Sequence, residues 1–305
     1  MKEIDVSFVT INYNSSEYTV SLLKSIFSRT KGVSYEVIVV DNASSDEDFE
    51  KLKRYCLESD RVKLIRSPVN TGFSCGNMIG VSNAVGRYYF FINNDCEFLS
   101  DAASVFKDFF SAHPQVKLAT GTVIDKNGRF SSSYKQFPHI AKQLFGNSAQ
   151  RFFSKRKFPS NKIELECPTS VEVVSGACMF FDADFFCEIG GFDTAFFLYC
   201  EEEDISKRVW DKGGEVFFIP GSCVFHAAGG SSDQNISLEK EYYISYSHLL
   251  DKHYGVFGRA MLRLALFFKL FFRVFKRKNG LEIFVFMLRG FSKKDSLRYK
   301  QVIKK

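Results

Sequence analysis

The segment "EVIVVDNASSD", Glu36 to Asp46, is the part of the chain that indicates the fold most clearly. Its unbroken run of valine and isoleucine is typical of a strand buried on both faces, and such strands belong to parallel sheets covered by helices on both sides. The run ends in Asp41 and small polar residues, which is the composition of a loop between a strand and a helix. The segment therefore predicts one strand of an α/β sheet.

Comparable segments flank it through the first third of the chain. "DVSFVTINYN", "VKLIRS" and "RYYFFINNDCEF" are predicted strands, and segments between them such as "YTVSLLKSIFSRT" have apolar residues at helical spacing. This alternation predicts an α/β fold with a mostly parallel sheet flanked by helices. Ligands bind at the edge of such a sheet where the strands end. The polar residues at those ends are Thr10, Asn12, Asp41, Asn42 and Asn93 to Asp95.

The composition is that of a globular protein with a basic, aromatic C-terminal part. Of 305 residues, 45% are hydrophobic and 25% are charged, the net charge is +6, and 35 residues are phenylalanine. The cysteines form no C-x-x-C pair, so the sequence supports no zinc site and favours reduced thiols. We find neither a signal peptide nor an uncharged apolar stretch long enough to cross a bilayer. A cytoplasmic protein that binds no nucleic acid is therefore expected.

The C-terminal part differs in character from the rest, and we predict a division into residues 1–235 and 236–305. Placed on a helix, residues 259–277 gather their cations in an arc of roughly 140°, and phenylalanines fill much of the remainder. Such a helix suits a membrane surface, and we expect the 259–290 region to bind one. The alternative is a helix packed on its own domain. The cations are Arg259, Arg263, Lys269, Arg273, Lys276 and Arg277.

Two loops that follow predicted strands carry candidate ligand-binding residues. In "NTGFSCGNMIG", Gly72, Phe73 and Asn77 lie at a loop-to-helix junction. Glycine there lets a ligand approach the backbone, and a helix N-terminus favours anions. A turn that needs glycine for its backbone geometry explains the same pattern. Asp41 could likewise accept hydrogen bonds from a ribose or cap the next helix.

The segment "FFINNDCEF" ends a strand in Asn93, Asn94 and Asp95, which places one carboxylate among amides. Mg²⁺ and Mn²⁺ prefer oxygen ligands and commonly take one or two carboxylates together with substrate phosphates. An Asx-rich turn is the alternative. His226, in "VFHAAGGSS", also follows a predicted strand, and it is either structural or a second contact to a metal or phosphate.

The segment "FFLYCEEEDISKR", residues 196–208, contains four consecutive acids. A charge run is usually a solvated face, but a helix would separate these side chains. On a helix whose inward face is marked by Ile205, Glu201 and Glu202 lie within about 60° of that face. Glu203 points roughly 160° away, and we expect it to face solvent.

The fourth acid, Asp204, lies four residues before Arg208 and is suited to an ion pair with it. We therefore expect Asp204 to be structural. Glu201 and Glu202 remain as the two candidates for a general base.

These elements occur together and in a fixed order, and that order carries a resemblance. The chain resembles the family 2 glycosyltransferases of the GT-A fold from about Val6 to Ser232, most of all their bacterial rhamnosyltransferase-like branch. The matching elements are "VTINYN", "VVDNASSD", "NTGFSCGN", "FINNDCEF", "GGFDTAFFLYCEEEDISKR" and "GSCVFHAAGGSS".

The resemblance implies a role for each element. Asp95, the last residue of a triplet in the place of a D-x-D motif, would bind Mg²⁺ or Mn²⁺ together with His226. Glu202 would be the general base, although it is one methylene longer than the family's usual aspartate. Asn93 also departs from the family, because it replaces the first aspartate of the motif. The residues implied in donor binding are Thr10, Asn12, Asn14, Asp41, Gly72, Phe73, Asn77, Asn93 and Asn94.

The activity implied is an inverting, metal-dependent transfer of a hexose from a nucleotide-diphosphate sugar, of the dTDP-rhamnose or UDP-hexose type. The acceptor would be a glycan or lipid-linked glycan in bacterial surface polysaccharide synthesis, such as O-antigen synthesis, at the inner face of the cytoplasmic membrane. The segment 131–168 and the C-terminal part are expected to contact the acceptor, and a homo-oligomer is compatible with this interpretation. The alternative is a catalytically inactive protein that binds carbohydrate or nucleotide-sugar at a membrane surface.

Overall fold

The computed structural model describes residues 4–139, 163–227 and 235–303, and its first part alternates strands and helices as the sequence predicts. Part of the segment 131–168, expected to contact the acceptor, lies outside the described residues. The alternating elements are β1 (Val6–Asn12), α1 (Ser16–Arg29), β2 (Tyr35–Asp41), α2 (Asp46–Cys56), β3 (Val62–Arg66), α3 (Gly72–Val81) and β4 (Tyr88–Ile92).

The strands that follow complete a mixed sheet. They are β5 (Cys96–Phe98), β6 (Val116–Ile124), β7 (Phe130–Ser131), β8 (Tyr134–Lys135), β9 (Thr169–Ser170), β10 (Val173–Val174), β11 (Cys178–Asp182) and β12 (Glu215–His226). The main order is β3-β2-β1-β4-β11-β6-β12-β5. The first four strands are parallel, β11 is antiparallel to both neighbours, and β12 is parallel to β6. Strands β8 and β10 pair separately.

One predicted strand is in fact two. The segment "RYYFFINNDCEF" forms β4 and then β5, which leaves the sheet position of β4 and pairs with β12. The turn between them is closed by the amide of Cys96, which donates to the carbonyl oxygen of Asn93 over 3.1 Å. The polar triplet therefore forms a turn at the sheet edge instead of lying within a strand.

The core has one aromatic layer on each face of the sheet. On one face, Phe8 stacks on Phe90 at 5.2 Å between ring centroids, and helices α1 and α4 (Ala102–Ala112) cover them. On the other face, Phe91 packs against Phe186 at 5.1 Å, beneath α5 (Ala183–Glu188) and α6 (Glu201–Asp211). Such side chains are fully buried, so Phe90→Ala would cost about 3–5 kcal/mol of stability.

The C-terminal part is helical, with α7 (Ile236–His253), α8 (Val256–Val274), α9 (Gly280–Leu288) and short 3₁₀ turns at Lys293–Asp295 and Leu297–Lys300. Its core includes Phe196 and Cys200 from the loop before α6. The helices therefore pack on the part of the chain that holds the acidic run. The division at residue 235 remains a prediction. In the portions of the chain that are described, no helix is both long enough and apolar enough to cross a membrane.

The predicted basic face of residues 259–277 is divided in the structure. Arg259 and Arg263 pair with Asp251, and Arg273 pairs with Glu239, so half of the six cations hold α8 against α7. The reason is that the inward side of α8 meets acids on its own protein, which a helical projection does not show. The alternative of a helix packed on its own domain is thus correct for one side of α8.

Candidate active site

A cleft of about 520 Å³ opens at the edge of the sheet where β1 and β4 end. Its size is within the range of small-molecule sites. It brings together seven residues that are far apart in sequence and that were predicted to bind a ligand. The predicted residues that line it are Asn14, Gly72, Phe73, Asn77, Asn93, Asn94 and Asp95.

Three other predicted residues, Thr10, Asn12 and Asp41, are buried behind the cleft wall. The Asn12 amide donates to Asp41 Oδ1 at 3.0 Å and to Asp48 Oδ2 at 2.9 Å. Asp48 in turn accepts from the amide of Ser16 at the start of α1. This network fixes the loops that form the wall, and a direct ligand contact from any of the three residues stays a prediction.

The cleft also contains side chains that were not named individually as donor-binding residues. Tyr13 and Tyr18 are exposed aromatic rings at the rim, and the pattern "NYN" after β1 was the available signal for the first. Asn42 lies deeper and donates from Nδ2 to Asn70 Oδ1 and to the carbonyl oxygen of Gly72, both at 3.0 Å. These bonds join the ends of β2 and β3 to the start of α3.

Gly72 is required by its surroundings. Its φ is +78°, and a methyl group at its Cα would lie 2.1 Å from the carbonyl oxygen of Phe197. The next amide, of Phe73, donates to that same oxygen over 2.7 Å. Because only glycine allows this approach, the start of α3 is joined directly to the loop that precedes the acidic run.

The turn after β4 presents a pair of groups that fits a divalent metal. Asp95 Oδ1 lies 3.1 Å from His226 Nε2, and both side chains are partly exposed. Carboxylate oxygen and imidazole nitrogen are suitable ligands for Mg²⁺ or Mn²⁺, alongside a substrate diphosphate. Cys96 is close to both, but it is fully buried and burial raises its thiol pKa well above the ordinary value. Asp95 and His226 therefore fit the predicted metal, and Cys96 does not.

The side chain of Asn94 is hydrogen-bonded to the start of α1. Its Nδ2 donates to Ser15 Oγ at 2.7 Å and to Thr19 Oγ1 at 3.0 Å, both at the start of α1. The amide thus ties the triplet to α1, although it still lines the cleft.

The acidic run begins helix α6 after a strained segment. Tyr199 and Cys200 have φ of 73° and 65°, a left-handed conformation that costs residues other than glycine about 1–3 kcal/mol each. The segment is held by Ser245 of α7, whose hydroxyl donates to the carbonyl oxygen of Leu198 over 2.7 Å. Strained backbone of this kind is common at functional sites.

Lys135 on β8 is the partner of the acidic run, and sequence reasoning did not find it. Its ammonium group pairs with Glu202 and with Glu203, the latter at 3.3 Å. The prediction that Glu203 faces solvent is therefore wrong, since its side chain is only 15% exposed. A helical projection shows the outward side of α6, but not the strand that covers it. Lys135 lies in a polar segment without periodicity, so the sequence carried no signal for this contact.

The three glutamates differ in protonation although they are adjacent. Burial tends to raise the pKa of Glu202, but the ammonium of Lys135 outweighs it and lowers that pKa. Burial and then the charge of Glu202 raise the pKa of Glu201 well above its ordinary value, and they raise that of Glu203 to about 7. The surroundings thus favour the ionised form of Glu202, whereas they favour the protonated form of Glu201. This distinguishes the two candidates for the base.

Asp204 is structural, as predicted. It is buried and accepts from Arg208 Nε at 2.9 Å and Nη2 at 2.6 Å. Two groups of α7 also reach it, because Lys252 Nζ and His253 Nε2 each lie 2.7 Å from its Oδ1. Asp204 therefore fastens α6 to the C-terminal helices.

A single peptide connects Glu202 with the polar triplet. A methyl group on Gly176 would lie 3.8 Å from Glu202 Oε1, so this carboxylate faces Gly176. The carbonyl oxygen of the next residue, Ala177, accepts from the amide of Asn93 over 3.1 Å. Glu201 and Glu202 are not among the described residues that line the cleft, and these contacts are what relates Glu202 to the polar triplet.

Comparisons with known proteins show the family of this chain. Residues 7–190 match the family model described as "Glycosyl transferase family 2". An uncharacterized glycosyltransferase of Rickettsia felis is 24% identical over 62% of this chain and 28% of that protein. The N-acetylglucosaminyl-diphospho-decaprenol L-rhamnosyltransferase of Mycobacterium tuberculosis is 23% identical over 85% of this chain and 88% of that protein.

A solved structure extends the comparison to the fold. GalNAc-T7 with UDP, GalNAc and Mn²⁺ superposes with a TM-score of 0.60 and 21% identity, over 82% of this chain and 48% of that chain. At this identity the likeness concerns the fold alone. The chain spans about half the length of GalNAc-T7 and less than a third of the Rickettsia protein.

Proposed function

This chain belongs to glycosyl transferase family 2, and from that premise we propose that it transfers a hexose, with inversion, from a nucleotide-diphosphate sugar to a hydroxyl of a glycan or lipid-linked glycan. Its fold is the GT-A fold, as the resemblance in sequence implied. The observation that carries the proposal is the carboxylate of Glu202, which pairs with Lys135 and faces Gly176, the residue before the one whose carbonyl oxygen binds the Asn93 amide.

In the proposed reaction, the acceptor hydroxyl attacks the anomeric carbon from the face opposite the diphosphate. A bond from the acceptor oxygen to that carbon forms as the bond from the carbon to the diphosphate oxygen breaks. Glu202 takes the proton of the hydroxyl, which requires a carboxylate that is ionised before the acceptor binds. Lys135 keeps it ionised despite its burial. The reaction needs no covalent intermediate with the protein.

The metal would be held by Asp95 and His226, and when bound it would neutralise charge on the leaving diphosphate. Asn14, Gly72, Phe73, Asn77, Asn93 and Asn94 would contact the donor from the cleft, and Thr10, Asn12 and Asp41 are proposed to act with them. The side-chain amide of Asn93 can accept a hydrogen bond from a ribose hydroxyl or donate one to it, although it carries no charge.

The relative from M. tuberculosis supports a more specific version of the proposal. Its name describes rhamnosyl transfer to a lipid-linked diphosphate sugar, and the match covers most of both chains. We propose the same classes here, with dTDP-rhamnose or a UDP-hexose as donor, and a role in bacterial surface polysaccharide synthesis such as O-antigen synthesis at the inner face of the cytoplasmic membrane. A homo-oligomer stays a prediction.

A second candidate is a protein that binds nucleotide-sugar without turnover. Asn93 in place of an aspartate favours it, and so does the ion pair that Lys135 makes with the proposed base. A turnover assay separates the two candidates. Nucleotide-sugars are incubated with the full chain, Mn²⁺ and a lipid-linked diphosphate sugar whose hydroxyl can accept the hexose, with and without a chelator, and release of nucleoside diphosphate is measured. An enzyme releases it only when metal is present, whereas a pure binder releases none in either arm.

A further inference from the structure

The outer side of α8 carries an aromatic stripe that is largely uncovered in the described parts of the chain. Its residues are between 40% and 78% exposed, although they are large and apolar. The opposite side of the same helix is buried through Leu262, Leu266 and Leu270. The aromatic stripe consists of Phe257, Leu264, Phe268, Phe271, Phe272 and Phe275.

Three rings at the C-terminal end of the aromatic stripe contact one another. Phe271 packs against Phe272 at 5.6 Å and against Phe275 at 5.7 Å between centroids. It also meets Phe284 of α9, and that helix adds exposed Leu281 and Leu288. A monomeric soluble protein rarely exposes so large an apolar surface, and such surfaces mark sites of interaction.

Cations without acidic partners adjoin the aromatic stripe. In the described ranges, Lys269, Lys276 and Arg277 form no ion pair, in contrast to the three arginines that hold α8 on α7. They line a cavity of about 450 Å³ together with Phe268 and Phe272. No acidic residue occurs between Asp251 and Glu282, so no charge of this segment offsets them.

The charges decide which occupant fits. A second copy of this chain, placed against the same face, would bring like charges together at the edge of the interface, which costs energy. A bilayer with anionic lipids satisfies both parts of the surface at once. Aromatic side chains enter the boundary between head groups and acyl chains, and lysine and arginine meet the phosphates.

We propose that the aromatic stripe and the cavity beside it dock this protein on an anionic phospholipid bilayer, with Lys269, Lys276 and Arg277 contacting head-group phosphates. The helix lies in the plane of the surface and does not cross it. Since Asp204 and Phe196 fasten the C-terminal helices to the loop and helix of the acidic run, docking would hold the active site at the membrane. The proposal does not depend on glycosyl transfer.

The test is binding of the full chain to vesicles, measured by flotation. One vesicle is phosphatidylcholine alone, and the other is a mixture rich in phosphatidylglycerol. The first variant combines Lys269→Gln, Lys276→Gln and Arg277→Gln. The second combines Phe268→Ser, Phe272→Ser and Phe275→Ser. The six substituted side chains are all exposed, so both variants should keep the fold. A thermal melt of each variant checks this.

A matched control replaces three exposed lysines that precede the C-terminal helices, with Lys31→Gln, Lys126→Gln and Lys212→Gln. It changes the net charge by the same amount. We expect wild type and control to bind the anionic vesicle alike. Binding should fall on the order of 100-fold in the charge variant. It should fall by more than about tenfold in the phenylalanine variant, because each ring loses apolar burial.

Three results would overturn the proposal. The first is wild type that fails to bind anionic vesicles or binds both vesicles equally. The second is a phenylalanine variant that binds like wild type. The third is a wild-type dimer in lipid-free sedimentation that the phenylalanine variant converts to a monomer, since the occupant would then be a second copy of the chain.

Discussion

Two carboxylates in the first turn of α6 show how the same chemistry is given different roles. Asp204 is compensated by Arg208, Lys252 and His253, and its side chain is 1% exposed. Glu202 is also buried, but it has a single cation, Lys135, and its Oε2 has no hydrogen-bond partner among the described residues. A carboxylate whose bonding capacity is filled serves the structure. One that is ionised and only partly bonded is available for chemistry.

The largest expected effect is a loss of turnover when Glu202, the carboxylate available for chemistry, is replaced. Glu202→Gln removes the base while keeping its shape, and we expect turnover to fall about 10²–10⁴-fold. Glu201→Gln is the matched control, because burial raises the pKa of Glu201 and glutamine resembles the neutral acid that this shift favours. Its turnover should stay within a few-fold of wild type. If Glu201→Gln abolished transfer and Glu202→Gln retained it, the assignment of the base would be wrong.

The role of the structural carboxylate, Asp204, is tested by the variant Asp204→Asn. This change leaves the cations of Arg208 and Lys252 buried or half-buried without their carboxylate, and we expect a loss of about 3–5 kcal/mol in the free energy of unfolding. Chemical denaturation measures it. Asp193→Asn is the comparison. Its partners His248 and Lys252 are partly exposed, so the loss in the free energy of unfolding should be smaller.

The pH dependence of that loss is a further check. Burial opposes the shift, but bonds from His253 and Arg208 lower the pKa of Asp204. Its contribution is therefore complete above the ordinary carboxyl pKa and is lost as pH falls through the lowered value. The difference between wild type and Asp204→Asn should shrink in acid. A difference that grew on acidification would contradict the assignment of Asp204 as an ionised structural group.

The smallest expected effect sharpens the comparison at Lys135. Without its charge, burial would dominate at Glu202 and raise the pKa of that carboxyl. The acidic limb of the rate profile should then move to higher pH by about one unit or more in Lys135→Gln. Turnover should be close to wild type in base and reduced near neutral pH. Lys135→Arg keeps the charge and should restore the profile, whereas a uniform loss at every pH would indicate a merely structural role.

The sequence was sufficient for features that depend on local pattern. The parallel strands, the polar ends of β1 and β4, and the ion pair from Asp204 to Arg208 all follow from period, composition and a spacing of four. The cleft follows as well, because parallel strands bring their ends to one edge. The order of these elements carried the resemblance in sequence, and the resemblance supplied the metal-binding role proposed for Asp95.

The features that the sequence did not reveal depend on contacts between distant segments. Glu203 is covered by Lys135, which is 68 residues away in sequence, and no period marks that pair. The cations of α8 looked alike in projection, yet Arg273 meets Glu239 while Lys276 meets no acid in the described residues. Asn12 and Asp41 were correctly placed at strand ends, but whether a polar side chain there points into the cleft or behind it is decided by its neighbours.

The central claim is that this chain transfers a sugar with Glu202 as its base. The most direct measurement is release of nucleoside diphosphate from a panel of UDP-, dTDP- and GDP-sugars with Mn²⁺ and a lipid-linked diphosphate sugar as acceptor, comparing wild type, Glu201→Gln and Glu202→Gln. The account predicts release from at least one donor by wild type and by Glu201→Gln, abolished by chelation and by Glu202→Gln. Donor binding without release by wild type, or release that Glu202→Gln leaves unchanged, would contradict it.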